Sequence, residues 1–297
     1  MMDTALLRVS FLTIIMVTVA VPGIQSANIL FAPAMGEGSH LYVLSNVANE
    51  LISRGHNITV LISGMYRDKY TSTNRDRFNY AFFKPNFTLD ETRANLRAMT
   101  NAGLRGEYMS WMRDLLKTNF MDRKVDECAT LLEDTQLMSE LRDSKFTLAV
   151  VDPGFLCPVA QYLKHHYGVP YVALSPISTL SSAKLLHNRS PYNPSYMPEL
   201  TSGLSDHLPL FRDRLQNCAY AMLLMSVSMS LSSPFEDIKK QHGISHMSSE
   251  YNEAELWLMN TNFAFDFPRP LLPNTITVGG LTTKPSKSLD QVSFDRK

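Results

Sequence analysis

The chain has 297 residues, with 28 basic and 28 acidic side chains, so its formal net charge is zero. Apolar residues make up 44% of the sequence, which is enough to build a core and excludes an intrinsically disordered protein. A neutral chain without a basic run of five or more lacks the charge that binds a nucleic-acid backbone. We therefore expect a folded protein with no nucleic-acid partner.

The chain begins with a segment typical of secreted proteins. Residues 9–21 form an apolar run that follows Arg8 and precedes small residues, which predicts a signal peptide over residues 1–26. The run is shorter than the ~20 residues that a membrane-spanning helix needs. A later apolar stretch, Tyr220–Leu231, carries serines and is interpreted as a helix in a core or a pocket wall. The mature chain is expected to be soluble in a secretory lumen.

After this segment, predicted strands and helices alternate along the chain. Strands are predicted at 28–33, 57–63, 78–83, 147–151, 169–174, 254–260 and 275–278. Helices are predicted at 40–54 and 156–167, and two or three more within 90–141. A long loop is predicted over 175–206, followed by further helices up to about residue 241. This rhythm predicts one α/β domain over residues 27–281, with a mostly parallel sheet flanked by helices. Residues 282–297 have the composition of a linker.

The three cysteines, Cys128, Cys157 and Cys218, offer no CxxC spacing for a metal or redox site. We interpret them as small buried hydrophobic residues, with a single bridge as the alternative. The doublet His165-His166 lacks spaced partner ligands. No metal site is therefore predicted.

Three glycosylation sequons occur, at Asn57, Asn86 and Asn188. Asn57 begins a strand-like run, whereas Asn86 and Asn188 lie near turn-forming prolines. We therefore predict Asn86 and Asn188 as the glycan sites, provided that they are exposed.

Two polar residues lie where an open parallel sheet binds ligands, outside the carboxyl ends of its strands. His40 follows the first predicted strand and Asp152 ends the fourth, and these strands are neighbours in the order 3-2-1-4-5. With Ser39 as helix N-cap, His40 falls in the first turn, where the positive end of the helix dipole favours a neutral imidazole. A neutral imidazole oriented by a carboxylate is a general base. A polar cap and a turn-forming aspartate are the alternatives.

Two common enzyme motifs are incomplete here. Gly36 and Gly38 form a GxG without the third glycine, since position 41 is Leu, so a dinucleotide site is not predicted. Ser175, Ser178 and neighbouring serines lack the GxSxG context of a serine hydrolase.

Four segments resemble the amino-terminal half of the UDP-glucuronosyltransferases, a branch of the UDP-glycosyltransferase family. They read, in order, ILFAPAMGEGSHLYVLSNVANELISRGHNITVL, FTLAVVDPGFLCPVAQYL, PYNPSYMPELTSGLSDHLPLFRDRLQN and FDFPRPLLPNTITVGGL. The resemblance covers residues 28–285 nearly completely. It implies the Rossmann-like, acceptor-binding amino-terminal domain of a GT-B glycosyltransferase, with the donor-binding carboxyl-terminal domain absent from these residues.

The resemblance also assigns roles. It implies that His40 is the catalytic base for an acceptor hydroxyl and that Asp152 relays or stabilises the charge. It further implies inverting transfer from UDP-glucuronate or another UDP-hexose as co-substrate, without a metal or other cofactor. Leu41 stands where the family commonly has Trp, which alters the expected floor of the acceptor pocket.

The acceptor pocket is expected to use the stretch 104–116 and the loop around 175–196. Tyr108, Trp111 and Met112 are the predicted acceptor-binding residues, although ordinary core packing is the alternative for each of them. Ser39, next to the base, is the candidate donor contact.

The sequence as a whole predicts a transferase that attaches glucuronic acid or another hexose to small lipophilic acceptors. We expect it in the lumen of the endoplasmic reticulum, membrane-anchored in a longer form, and in homo- or hetero-oligomers with full-length relatives. The alternative is a truncated, non-catalytic lumenal binding or regulatory protein that lacks the donor domain.

Overall fold

The fold is built on one parallel sheet. The computed structural model describes residues 26–71, 78–107, 120–154, 157–176, 188–199, 202, 204, 208–244, 253–264 and 266–286. Their strands are β1 (Asn28–Ala32), β2 (Asn57–Ser63), β3 (Asn79–Phe83), β4 (Leu148–Val151), β5 (Tyr171–Ser175), β6 (Leu256–Met259) and β7 (Thr275–Thr277). They form a seven-stranded sheet in the order β3-β2-β1-β4-β5-β6-β7, and every neighbouring pair is parallel. The predicted parallel sheet and the order of its first five strands are therefore confirmed.

Helices cover both faces of this sheet. They are α1 (Gly38–Ser53), α2 (Arg67–Thr71), α3 (Leu89–Leu104), α4 (Phe120–Glu133), α5 (Thr135–Asp143), α6 (Val159–Tyr167) and α7 (Phe211–Gln241). Each predicted strand boundary lies within two residues of the observed one. Gly168, with a φ of 69°, ends α6 in the left-handed conformation that glycine adopts without strain.

The strands bury both of their faces because side chains alternate along each strand. Leu30 and Ala32 of β1 pack into the core layer formed with α4, α5, α6 and the end of α7. Ile29 and Phe31 pack into the opposite layer, which includes Leu44 of α1. Core layers pack against both faces of the sheet, so the loops at its carboxyl edge start from fixed strand ends.

Helix α7 differs from its prediction. The structure has one helix of 31 residues that continues through Pro234, where the sequence predicted helices up to about residue 241. Phe235 is buried, but Met222 is 61% exposed and Met229 is 67% exposed, so these two side chains do not lie in the core. The alternative of a pocket wall holds for Met222, which lines a cavity. The helix has the length and apolar composition of a membrane span, and most of that stretch is exposed.

The single bridge that the sequence analysis gave as the alternative is present in the structure. Cys128 of α4 and Cys157 form a disulfide, with their Cα atoms 5.3 Å apart, whereas Cys218 is free and half-buried. The bridge joins residues 29 positions apart. The sequence left this pairing open because only the packing of α4 beside the start of α6 brings the two thiols together.

The structure gives the exposure of the asparagine in each of the three glycosylation sequons. Asn188 is only 3% exposed, so its side chain does not have the exposure that a glycan requires. Asn86 is half-buried and its Nδ2 donates to the carbonyl of Arg123 at 2.9 Å. Asn57, which the sequence analysis discounted, is exposed at the start of β2. Exposure therefore favours Asn57 over Asn188.

Removal of the disulfide tests its contribution to the fold. In the double variant Cys128→Ala, Cys157→Ala, we expect the free energy of unfolding to fall by about 3–4 kcal/mol, because the bridge restricts the unfolded chain across a loop of this length. Urea unfolding under non-reducing conditions measures it. Cys218→Ala is the matched control and should lose about 1 kcal/mol or less. Equal losses in the two proteins would contradict the bridge.

Candidate functional site

The site centres on a histidine and an aspartate that are 112 positions apart in sequence. Ala32 at the end of β1 pairs with Val151 at the end of β4, so the residues that follow both strands meet at the same edge of the sheet. Nδ1 of His40, in the first turn of α1, lies 2.5 Å from Oδ2 of Asp152. The predicted convergence of the two side chains is therefore present in the structure.

The carboxylate of Asp152 is held in place by backbone groups as well. It is 1% exposed, and it accepts hydrogen bonds from the backbone N–H of Gly154 at 2.8 Å and of Ala34 at 3.3 Å. In the neutral tautomer of His40 whose Nδ1–H donates to this carboxylate, Nε2 carries the lone pair. This is the tautomer that takes a proton from a bound nucleophile.

Space around the carboxylate is limited at Gly154. A Cβ atom at this position would lie 3.0 Å from Cβ of Ala34 and 3.2 Å from Oδ1 of Asp152. Glycine lets the backbone approach the carboxylate closely enough for its N–H to donate.

The loop between β1 and α1 is held by the segment that follows β2. A Cβ at Gly36 would lie 2.3 Å from Cδ2 of Tyr66, so the tyrosine ring occupies the space next to this glycine. The hydroxyl of Tyr70 donates to the carbonyl of Gly36 at 2.5 Å. These contacts fix the loop from which α1 and His40 begin.

The start of α1 corrects one sequence prediction. The N-cap is Glu37 and no side chain caps the helix, so Ser39 is not the N-cap. The helix begins at Gly38, whose φ of 82° requires glycine. Ser39 lies in the first turn and is exposed, and its proposed contact with a donor stays a prediction.

Glu37 links this loop to two other elements. Its carboxylate accepts hydrogen bonds from Nε and Nη2 of Arg93 on α3, at 2.9 and 2.8 Å, and from Nζ of Lys69 on α2 at 3.2 Å. The hydrogen bonds from Arg93 are the main reason that the pKa of Glu37 falls from 4.5 to about 2. The carboxylate is therefore ionised throughout the physiological range and ties α3 to the loop that precedes His40.

An apolar cavity of about 280 Å³ opens beside this pair. Its walls come from the β1–α1 loop, the carboxyl end of β2, α3, α4 and Phe235 of α7. Its apolar lining includes Met35, Ile62, Met65, Leu96, Leu131 and Phe235. Ala34 and Gly154, whose N–H groups bond Asp152, also line it. The cavity therefore extends to the residues that surround the base.

Polar groups bind the two helical walls to one another. Nη1 of Arg123 on α4 lies 3.0 Å from Oε1 of Glu91 on α3. Within the cavity lining, Nζ of Lys124 donates to Oε2 of Glu127 at 2.6 Å. Burial raises the pKa of Tyr66 to about 12, so its phenol stays neutral at physiological pH. The lining therefore presents a neutral, mainly apolar surface to a ligand.

The predicted pocket residues have different outcomes. Tyr108, Trp111 and Met112 lie outside the described residues, so their acceptor-binding role stays a prediction. The described part of the predicted loop, 188–199, does not line the cavity beside the base. Its residues Ser190, Tyr192 and Pro194 line a separate cavity of about 330 Å³ against α7.

Sequence reasoning missed most of the cavity wall. Leu96, Met121 and Leu131 lie on the predicted helical stretch 90–141, but their apolar spacing is the same as that of core residues. Among the residues that the structure describes, no three His, Cys, Asp or Glu side chains come together in a way that could hold a metal ion.

The variant Glu37→Gln tests the link between α3 and the loop. We expect it to lower the free energy of unfolding by about 1–2 kcal/mol at pH 6, because a charged, bidentate hydrogen bond is lost. Since the pKa of Glu37 is about 2 in the folded protein and 4.5 in the unfolded chain, the stabilisation is present above pH 4.5 and disappears as the pH falls towards 2.

Urea unfolding at pH 6 and pH 3 measures this difference. Glu50→Gln, which breaks an exposed pair with Arg54 inside α1, is the control and should have a small effect at either pH. A loss for Glu37→Gln that did not shrink at low pH would contradict an ionised Glu37.

Comparison with known proteins places this chain in a family. The chain is 29% identical over 280 residues to UDP-glucuronosyltransferase 3A1 of Bos taurus, covering 90% of this chain and 50% of that protein. It is 28% identical over 276 residues to 2-hydroxyacylsphingosine 1-beta-galactosyltransferase of Mus musculus, covering 90% and 47%. The chain thus spans about half the length of these curated relatives.

Solved structures of glycosyltransferases are also similar to the chain. The glycotransferase of kitacinnamycin matches at 13% identity and a TM-score of 0.49, over 86% of this chain and 51% of that one. CalG4, the calicheamicin glycosyltransferase, matches at 16% identity and a TM-score of 0.48, over 89% and 54%. The sequence pattern of one family matches residues 27–295, nearly the whole chain. On that match, this protein belongs to the UDP-glucoronosyl and UDP-glucosyl transferase family.

Proposed function

We propose that this chain binds a small lipophilic acceptor and supplies the catalytic base for inverting transfer of glucuronic acid, or another hexose, from a UDP-sugar. One observation carries the proposal. His40 lies 2.5 Å from the buried carboxylate of Asp152, beside an apolar cavity of about 280 Å³. Apolar walls with a few placed polar groups are typical of small-molecule sites.

The chemistry follows from the tautomer of the base. Asp152 accepts the hydrogen bond from Nδ1–H of His40, so Nε2 accepts the proton of the acceptor hydroxyl. The freed oxygen attacks the anomeric carbon while the bond from that carbon to the UDP oxygen breaks, and UDP leaves from the opposite face. The configuration inverts from α to β. The proton remains on His40, where the carboxylate stabilises the imidazolium.

We propose a UDP-sugar donor and a separate domain that binds it. One relative is named a glucuronosyltransferase and another a galactosyltransferase, so both glucuronate and neutral hexoses are donor candidates. We propose that a second, donor-binding domain meets the carboxyl edge of this sheet, as in the GT-B architecture. Ser39 is exposed at that edge beside His40 and is the proposed contact to the donor.

The cellular location is proposed on two grounds. The segment 1–26 has the pattern of a signal peptide, and disulfides such as Cys128–Cys157 persist in oxidising compartments. We propose the lumen of the endoplasmic reticulum, with membrane anchoring in the full-length form. Association with full-length relatives as homo- or hetero-oligomers is part of the same proposal.

The variant His40→Ala tests the base. In the full-length protein we expect transfer from UDP-glucuronate or UDP-glucose to 4-phenylphenol to fall by about 10²- to 10⁴-fold, the usual contribution of a general base. The dissociation constant for 4-phenylphenol should change by less than about threefold, since the cavity walls are intact. Product formation by chromatography and binding by calorimetry measure the two quantities.

The control is His165→Ala, which removes a histidine in the last turn of α6 that is paired with Glu253 and does not line the cavity. It should retain full transfer. Weaker acceptor binding with unchanged turnover in His40→Ala would contradict the base assignment. Acceptor binding by the wild-type protein without transfer from either donor would support the alternative of a non-catalytic binding protein.

A further inference from the structure

The cavity beside the base contains one polar atom that the protein does not satisfy. Oγ of Ser63, the last residue of β2, is buried and has no hydrogen-bond partner among the described residues, and the residue is 6% exposed. Ser63 lines the cavity. A buried hydroxyl without a hydrogen-bond partner is destabilising, so a partner from outside the chain is expected to stabilise it.

Three other polar side chains of the lining have hydrogen-bond partners within the protein. Lys124 and Glu127 bond each other at 2.6 Å. The hydroxyl of Thr92 donates to the carbonyl of Thr88 at 3.1 Å. Ser63 differs from them because its hydroxyl retains both its donor and its acceptor capacity for a ligand.

The position of Ser63 relative to the base follows from the sheet. β2 and β4 lie on opposite sides of β1, and Ser63 and Asp152 mark the ends of these two strands. Two interstrand spacings separate them, roughly 10 Å. Alternation along β2 places Ser63 on the same face as Leu61, which belongs to the core layer under the cavity. A ligand whose nucleophile reaches His40 therefore extends across the cavity towards Ser63.

We propose that Ser63 is a specificity-determining residue that binds a second polar group of the acceptor, across the cavity from the nucleophile that His40 deprotonates. This inference rests on the proposed function. The acceptor class is a rigid, lipophilic molecule with neutral hydrogen-bonding groups at both ends. A neutral group is favoured because Lys124 and Glu127, the charged residues of the described lining, are paired with each other at 2.6 Å and leave no unpaired charge to bind an ionised group.

A matched pair of ligands tests the proposal. 4,4′-Biphenol and 4-phenylphenol differ by one hydroxyl at the end remote from the reacting group. Calorimetric titration of the full-length protein with each compound gives two dissociation constants for the wild type and for Ser63→Ala. We expect Ser63→Ala to weaken 4,4′-biphenol binding by about 3- to 10-fold, the range of one neutral hydrogen bond, and 4-phenylphenol binding by less than about twofold.

Two further variants separate recognition from folding. Ser63→Thr keeps the hydroxyl and should retain the preference for 4,4′-biphenol, because β-branched residues suit a strand. Ser144→Ala removes an exposed serine hydroxyl at the end of α5 and should leave both constants unchanged.

Each outcome has a distinct meaning. Equal losses for the two compounds, or no loss for either, would overturn the role of Ser63 in recognition and would leave its hydroxyl to a bound water or to packing. Wild-type binding of 4-phenylphenol in those cases would leave the acceptor cavity itself supported. Failure of the wild-type protein to bind either compound would instead contradict the proposed acceptor site.

Discussion

A buried carboxylate at the meeting point of two parallel strands is the constraint on which the site depends. Asp152 is almost fully enclosed, and a buried charge without partners would be costly. Three donors satisfy it, from Ala34, Gly154 and His40. Each donor comes from a different segment, so the loops after β1 and β4 and the start of α1 must hold one relative geometry. The same geometry orients the imidazole.

The same contacts hold the cavity walls and His40 in place. Glu37 precedes the helix that carries His40 and is bonded to Arg93 on α3, whose neighbour Thr92 lines the cavity. The disulfide partner Cys128 lies on α4 and lines the cavity too. The cavity wall and His40 are therefore held by the same edge of the sheet. This suits the proposed reaction, in which the nucleophile must be aligned with the base.

The cavity surface is adaptable, as the proposed binding of lipophilic acceptors requires. Met35, Met65 and Met121 contribute flexible, polarizable side chains to its lining. Apolar contacts of this kind discriminate weakly between ligands of similar size, whereas a hydroxyl that must be satisfied discriminates strongly. We propose that this discriminating role belongs to Ser63 and the proton transfer to His40.

The sequence by itself determined the strand and helix alternation, the parallel order of the first five strands and the pairing of His40 with Asp152. These follow from local periodicity and from the rule that parallel strands end at one edge. Only the tertiary structure decided the Cys128–Cys157 bridge, the burial of Asn188 and the unsatisfied hydroxyl of Ser63. Each depends on which distant side chains pack around the residue, and neither spacing nor composition records that.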